Sequence, residues 1–381
     1  LARARDLPID ELLELLEKSN LRGRGGAGYP FVDKVRAVRR NADGGPVYLV
    51  ANAYDADPGS PLSRTLLTRN AENVLTGIAI AAHAIGATQA YLYLHPDAAE
   101  ARAAAERALA QDVDVDVEIA LGPGGFMGGE ESALLAVLES RRAMARQRPP
   151  YPAAQGLRMR PTLVASAETL AWLPPVVLDQ ARAATKLVSV TGSVVRPGVY
   201  EVALGTQLGE IVSEAGGASG KLKGIHVGGP TGGILSASRT DTRFDFDDLR
   251  VAGTHMGSAQ VRAIPLGTCI VNEAAALFAY LAKESCAICV PCRVGTKRVQ
   301  AILESTYSGL GRDSDLAWLD ELGTHMERFS LCGFGITAPS ILRTTMREFA
   351  EDYRVHIQEK RCPEGVCKPV RSRRYETMVQ P

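Results

Sequence analysis

The stretch Glu284-Ser-Cys-Ala-Ile-Cys-Val-Pro-Cys-Arg-Val-Gly295 places Cys286, Cys289 and Cys292 at C-x2-C-x2-C spacing. A fourth cysteine, Cys332, follows alone in Ser330-Leu-Cys-Gly-Phe-Gly335. Three closely spaced thiolates with one distant partner is the ligand pattern of a [4Fe–4S] cluster. A structural zinc site more often draws on two separated pairs. Around these cysteines the helical apolar pattern recurs at 273–283, 295–306, 313–328 and 340–357, which predicts a helical bundle carrying the cluster. The expected boundaries are 266–357 for the bundle and 358–381 for a C-terminal tail.

Outward from the bundle the pattern changes. Lys186–Val202 predicts two short strands joined by an Arg-Pro-Gly turn, and Leu208–Ala215 a helix closed by Gly216-Gly217. That is a compact α+β unit over about 181–265. Residues 1–180 alternate helix and strand: helix 9–19, helix Lys34–Arg40, strand Val47–Asn52, a turn at Tyr54–Gly59, helix Val74–Ile85, strand Gln89–Leu94, helix Ala98–Gln111, strand Val113–Ala120 and a helix from Glu130. Such alternation predicts an α/β layered domain.

The 381 residues carry 43 Lys+Arg and 43 Asp+Glu. No excess charge argues for nucleic acid or an anionic membrane. Seven cysteines in a chain this long, clustered rather than spread, point to metal sites in a reducing compartment. Residues 73–96 lack acidic and basic side chains but contain Gly77, His83, Gly86 and many alanines, so they predict a buried helix and strand instead of a membrane span. A soluble, cytoplasmic protein with no membrane insertion is the expectation.

Two glycine-rich loops are candidate ligand sites. Gly23, Gly25 and Gly28 satisfy G-x-G-x-x-G, but a helix precedes them, which is the wrong context for a dinucleotide fingerprint. Small residues there still let backbone N–H groups converge on an anion before a helix, with Arg24 and Lys34 adding charge. The alternative is a tight packing loop. The second loop, Gly122-Pro-Gly-Gly-Phe-Met-Gly-Gly-Glu-Glu131, follows a strand and opens a helix. Its two acids either complement the helix dipole or bond ribose hydroxyls, and glycine permits close approach of a flat cofactor.

Together these stretches resemble the NADH-binding flavoprotein subunit of respiratory complex I and its relatives in NAD-linked hydrogenases, including bifurcating ones, and formate dehydrogenases. The anchors are Arg22–Pro30, Gly128-Gly-Glu-Glu131, Pro161-Thr with Glu168-Thr-Leu170, and the Glu284–Gly295 motif. The resemblance implies a Rossmann-like FMN domain, a β-grasp domain of the soluble-ligand-binding type and a helical [4Fe–4S] bundle. It implies hydride exchange between NAD(H) and FMN, followed by single-electron transfer to the cluster. Carried over, the FMN phosphate falls near Gly25, Gly26 and Lys34, with Gly23, Arg24 and Gly28 as cofactor-binding residues of the same loop. Asn52, Asp55, Asp57, Gly129, Glu130, Glu131 and Ser166 flank the flavin and nicotinamide, and Tyr29 and Tyr151 stack the adenine. The implied partners are a thioredoxin-like [2Fe–2S] subunit and a larger iron–sulfur subunit leading to a catalytic centre.

Departures from the family pattern concentrate at the ring end. Asn52-Ala-Tyr-Asp-Ala-Asp-Pro-Gly59 has Tyr54 in place of an acid, and Asp55 and Asp57 in place of glutamates. Val164-Ala-Ser-Ala-Glu-Thr169 lacks two asparagines, and Gly128 stands where cysteine is common. The alternative reading is therefore a non-catalytic electron-relay or scaffold subunit with a decayed flavin site.

Three cysteines remain. Cys362 and Cys367 follow His356 as H-x5-C-x4-C, and Cys269 precedes the cluster motif. With His356 they make a Cys3His set, the composition of a structural zinc clasp for the tail. The alternative is a core thiol at Cys269 and free or joined tail cysteines. His83, His95, His226, His255 and His325 show no ligand spacing, and no acid–base dyad or nucleophile arrangement stands out, which fits chemistry carried by a cofactor.

Overall fold

The computed structural model describes residues 7–110 and 115–367. The expected end of one helix at Gln111, the start of the next strand at Val113 and the end of the tail lie outside them.

Four strands, β1 (Tyr48–Ala53), β2 (Gln89–Leu94), β3 (Asp116–Leu121) and β4 (Thr162–Ser166), form an all-parallel sheet in the order β3-β2-β1-β4. β1 reads Tyr-Leu-Val-Ala-Asn-Ala and is buried along almost its whole length, as a central parallel strand covered on both faces must be. Its register with β4 pairs Asn52 with Ser166, so both stand at the carboxyl ends of adjacent strands. In open α/β sheets that edge is where ligands bind.

Helices α1 (Ile9–Lys18), α2 (Phe31–Asn41), α3 (Leu62–Ile85) and α4 (Ala99–Leu109) cover the sheet. α3 begins twelve residues before the helix expected at Val74 and carries a break at Asn70, φ −153°. Its first turns, Leu62-Ser-Arg-Thr-Leu-Leu-Thr-Arg, are rich in Ser and Thr, which have weak helix propensity. The start is fixed from a distance instead: the Asp55 carboxylate accepts from the backbone of Ser63 at 2.8 Å and of Arg64 at 2.9 Å.

A second sheet, ordered β6-β5-β9-β7-β8, comprises β5 (Thr185–Gly192), β6 (Gly198–Ala203), β7 (Leu222–Val227), β8 (Gly233–Ser236) and β9 (Gln260–Pro265). β5 and β6 are the two strands expected around the Arg-Pro-Gly turn. β5 and β9 are parallel and the other pairs antiparallel, with the helix Leu208–Glu214 over its own core. This is the expected β-grasp arrangement.

A further core belongs to the helices Ile270–Glu284, Val290–Ser305, Asp315–Phe329, Ser340–Glu348 and Ala350–Gln358. The single helix expected over 340–357 is broken at Phe349, φ −130°, ψ 38°. Among the described residues no helix is long and apolar enough to cross a membrane.

A cleft between three cores as the candidate redox site

A cleft of about 480 Å³ opens where the parallel-sheet domain, the β-grasp unit and the helical bundle meet. The parallel sheet contributes Asn52 and Ser166, the β-grasp unit Thr231 and His255, and the bundle Phe334 and Thr337.

The first glycine loop forms one wall. Its neck is closed by Gly23 N–H to Tyr29 O at 2.8 Å and Phe31 N–H to Leu21 O at 2.9 Å. At the tip, Gly26 has φ +112°, and a Cβ there would lie 2.6 Å from Gly257 O. Only glycine fits that conformation and that contact. The Arg24 guanidinium is not free to project. It donates to Ala183 O at 2.7 Å and Arg22 O at 3.2 Å, while its Nε is buried without a partner. Burial pulls its pKa below the usual arginine value, with the Glu168 charge opposing that shift.

Lys34 donates to the Glu131 carboxylate and to Val164 O at 2.7 Å. Burial works to raise the Glu131 pKa, but Lys34 and Arg148 outweigh it and hold the carboxyl below its usual range. Two residues expected at the ligand thus pair with each other. The cleft lining includes neither of them, nor Gly23, Gly28, Tyr29 or Tyr151. Tyr29 and Tyr151 are exposed on the surface.

Glu130 caps the helix Glu131–Leu138, accepting from Ser132 N at 2.8 Å and Ala133 N at 2.9 Å, and pairs with Arg148. Asp57 accepts from Gly59 N at 2.9 Å and from the Ser258 hydroxyl at 2.5 Å, tying the turn to the β-grasp unit. Burial raises the pKa values of both Asp55 and Asp57. Asn52 donates to Gly129 O at 3.0 Å, and Ser166 caps the helix Ala167–Ala171. These carboxylates hold the protein's own backbone.

Tyr54 lies flat against the second glycine loop. Its ring stacks on Tyr93 at 5.3 Å, and its hydroxyl donates to Gly125 O at 2.8 Å. A Cβ on Gly128 would sit 2.5 Å from that hydroxyl oxygen. The tyrosine and the missing side chain at 128 are therefore one packing feature, although they read as separate departures in the sequence.

The bundle forms the floor. Cys332 immediately precedes the short helix Gly333–Thr337, whose residues line the cleft. Cys292 and Cys332 are buried, while Cys286 and Cys289 are half-buried. Burial pushes the Cys292 thiol up to about 11 and that of Cys332 up to about 12. Thiolates here need a cation core, because a coordinating thiol is deprotonated by its metal. Glu130 lies close enough to Cys332 to raise its pKa further. Cleft and cysteines are adjacent.

Cys269, His356, Cys362 and Cys367 bring their ligand atoms within 4.8 Å of one another. Cys269 Sγ and His356 Nε2 are 3.4 Å apart. His356 Nδ1 lies 2.6 Å from Asp352 O, and donating there would leave the Nε2 lone pair facing the cysteines. Tetrahedral zinc with Zn–S near 2.3 Å separates its ligands by about 3.8 Å, so this donor set fits zinc.

The cleft also fits a bound flavin nucleotide: it has an orphaned buried donor at Arg24, a glycine cradle at 25–26 and a sheet-edge position. The fold and site define a flavin-binding, iron–sulfur dehydrogenase subunit. Residues 16–174 match the Nuo51 FMN-binding domain, 187–235 the SLBB domain and 272–356 the NADH-ubiquinone oxidoreductase-F iron-sulfur binding region. The chain belongs to the family of F-type NADH-quinone oxidoreductase subunits and their hydrogenase counterparts. It is 35% identical to an F-type NADH-quinone oxidoreductase subunit of Rhizobium meliloti, over 93% of this chain and 90% of that one. It is 32% identical to the NADP-reducing hydrogenase subunit HndC of Solidesulfovibrio fructosivorans, over 96% and 80%. An H2-reduced NAD+-reducing [NiFe]-hydrogenase structure superposes with TM-score 0.84 at 34% identity, covering 93% of this chain. The chain spans 64% of that hydrogenase chain's length.

The β-grasp wall, formed by Thr231, His255 and Gly257, was not anticipated from the sequence. Its one local signal is the run of glycines at 228, 229 and 232. Glu284, beside the cluster motif, was missed as well: its carboxylate accepts from Phe126 N at 2.7 Å and so pins the second glycine loop to the bundle.

Proposed function

We propose that this chain is the hydride-to-electron converting subunit of a larger oxidoreductase, working between NAD(P)H and a partner's iron–sulfur centre. The carrying observation is the shared floor: the helix that follows Cys332 also lines the cleft. When bound, FMN supplies the exchange between two-electron and one-electron chemistry. The protein's own contribution is position. In this reading Gly25, Gly26 and Ala27 present backbone N–H groups to the phosphate end, beside the unpaired Arg24 Nε, Asn52 and Ser166 stand at the sheet edge, and Phe334 lines the cleft next to Cys332. Cys286, Cys289, Cys292 and Cys332 hold the [4Fe–4S] cluster. Ile288, Val290 and Val294 leave apolar side chains exposed on the segment carrying three of those ligands. That surface suits an acceptor protein, and the reading takes the acceptors to be a thioredoxin-like [2Fe–2S] subunit and a larger iron–sulfur subunit. Zinc at Cys269, His356, Cys362 and Cys367 would fix the tail to the bundle.

The relay alternative is favoured by Tyr54, whose ring takes up space beside the second glycine loop. The deciding experiment is acid release of flavin from anaerobically purified chain, followed by NADH and NADPH titration of the visible spectrum. About one FMN per chain, with bleaching by either donor, supports the converter and names its dinucleotide. A cluster spectrum with no flavin after incubation in excess FMN leaves the relay.

A further inference from the structure

Ser330 ends the helix Asp315–Phe329, and its hydroxyl oxygen is buried with no hydrogen-bond partner among the described residues. A buried hydroxyl left unpaired forfeits its hydrogen bond to water with nothing in return, so such a group calls for a partner that the polypeptide does not supply. Its neighbourhood indicates which one. Ser330 stands two residues before Cys332. A Cβ built on Gly335 would lie 2.4 Å from Ser330 Oγ and 3.0 Å from Cys292 Cβ, so hydroxyl and ligand flank the same point. The absent side chain at Gly335 keeps that space open. Two liganding cysteines therefore bracket Ser330, one along the chain and one across it.

Three other donors nearby face single thiol sulfurs. Ser285 Oγ is 3.4 Å from Cys292 Sγ, and the backbone N–H groups of Phe334 and Gly335 serve Cys332. Hydrogen bonds to cluster sulfurs stabilise the more negative, reduced form and help set the potential. We propose that Ser330 donates its hydroxyl proton to a sulfur of the cluster and raises its reduction potential, poising it to accept electrons from the cleft. The inference rests on the four cysteines holding a [4Fe–4S] cluster, as proposed above.

The test is a redox titration of the full chain followed by electron paramagnetic resonance, with iron analysis, for wild type, Ser330→Ala and Ser330→Thr. In parallel, the reduced cluster in H2O and D2O is probed for hyperfine coupling to exchangeable protons. Expected are unchanged iron content, a more negative midpoint and loss of one exchangeable coupling in Ser330→Ala, with both restored in Ser330→Thr. An iron-replete Ser330→Ala protein with wild-type midpoint and couplings overturns the inference while leaving the cluster assignment intact. Absence of a four-iron cluster from the wild type overturns both. If Ser330→Ala assembles no cluster, the isosteric pair Ser330→Thr and Ser330→Val decides: a wild-type midpoint and couplings in Ser330→Thr with a more negative midpoint and one coupling fewer in Ser330→Val support the hydrogen bond, and the same midpoint and couplings in both refute it.

Discussion

Tyr54 shows how one residue sets the demands on its neighbours. Its hydroxyl occupies the point where any side chain at position 128 would begin. Gly128→Ala should therefore act as overpacking and cost about 1–3 kcal/mol. The measurement is a double-mutant cycle in urea: in the Tyr54→Ala background Gly128→Ala should cost much less, giving a coupling of at least ~0.5 kcal/mol. Additive single effects would show that the two positions do not share this space. Asp55 and Asp57 illustrate a limit of reading residues one at a time. Their types suit a ligand site, and both do line the cleft, yet their oxygens are taken by the backbone of Ser63, Arg64 and Gly59 and by Ser258. Sequence shows that a carboxylate is present, but not which N–H the folded chain will bring to it.

At the scale of elements, the strands were legible where apolar runs were short and bounded, as in β1, β2 and β5. The cysteine spacing was legible because three cysteines lie within seven residues. The first half of α3 was not, since its start depends on a cap seven residues upstream. Nor was the break at Phe349, which lies within a pattern that reads as one helix. β7 carries a titratable group that neither cleft nor cluster uses. His226 is fully enclosed, opposite Ile234 and Arg262, and burial with Arg262 nearby pushes its imidazole down to about 3. Between that value and the ordinary value of 6.5 the unfolded chain binds the extra proton. The stabilising effect of a neutral His226 is therefore complete above pH 6.5 and is lost as pH falls toward 3. Wild type should lose about 1.4 kcal/mol per pH unit relative to His226→Leu in this window, read from urea unfolding at pH 7, 6 and 5. Parallel curves for the two proteins would refute it.

For the whole molecule, the joints between units matter most. Lys186 on β5 is buried against Glu168, beside the cleft, and joins the β-grasp unit to the parallel-sheet domain. Lys186→Met strands that carboxylate and should cost about 3–5 kcal/mol, whereas Lys186→Met with Glu168→Gln should recover most of it. Thermal unfolding of the three proteins checks this. At the other joint, metal analysis should find one zinc beside the iron. Cys362→Ser should lose the zinc, keep the iron and expose the segment after Gln358 to limited proteolysis. Zinc retained in Cys362→Ser would exclude the clasp. The cleft itself has a further consequence. Because its walls come from the parallel-sheet domain, the β-grasp unit and the helical bundle, a nucleotide bound there is linked to the folding of all three at once. Ligand at a hundred times its dissociation constant adds about 2.7 kcal/mol to whatever must be intact for binding. Calorimetric transitions that separate in the empty protein should then move upward together and merge as the nucleotide is added, so the cofactor acts as the agent that makes three units unfold as one.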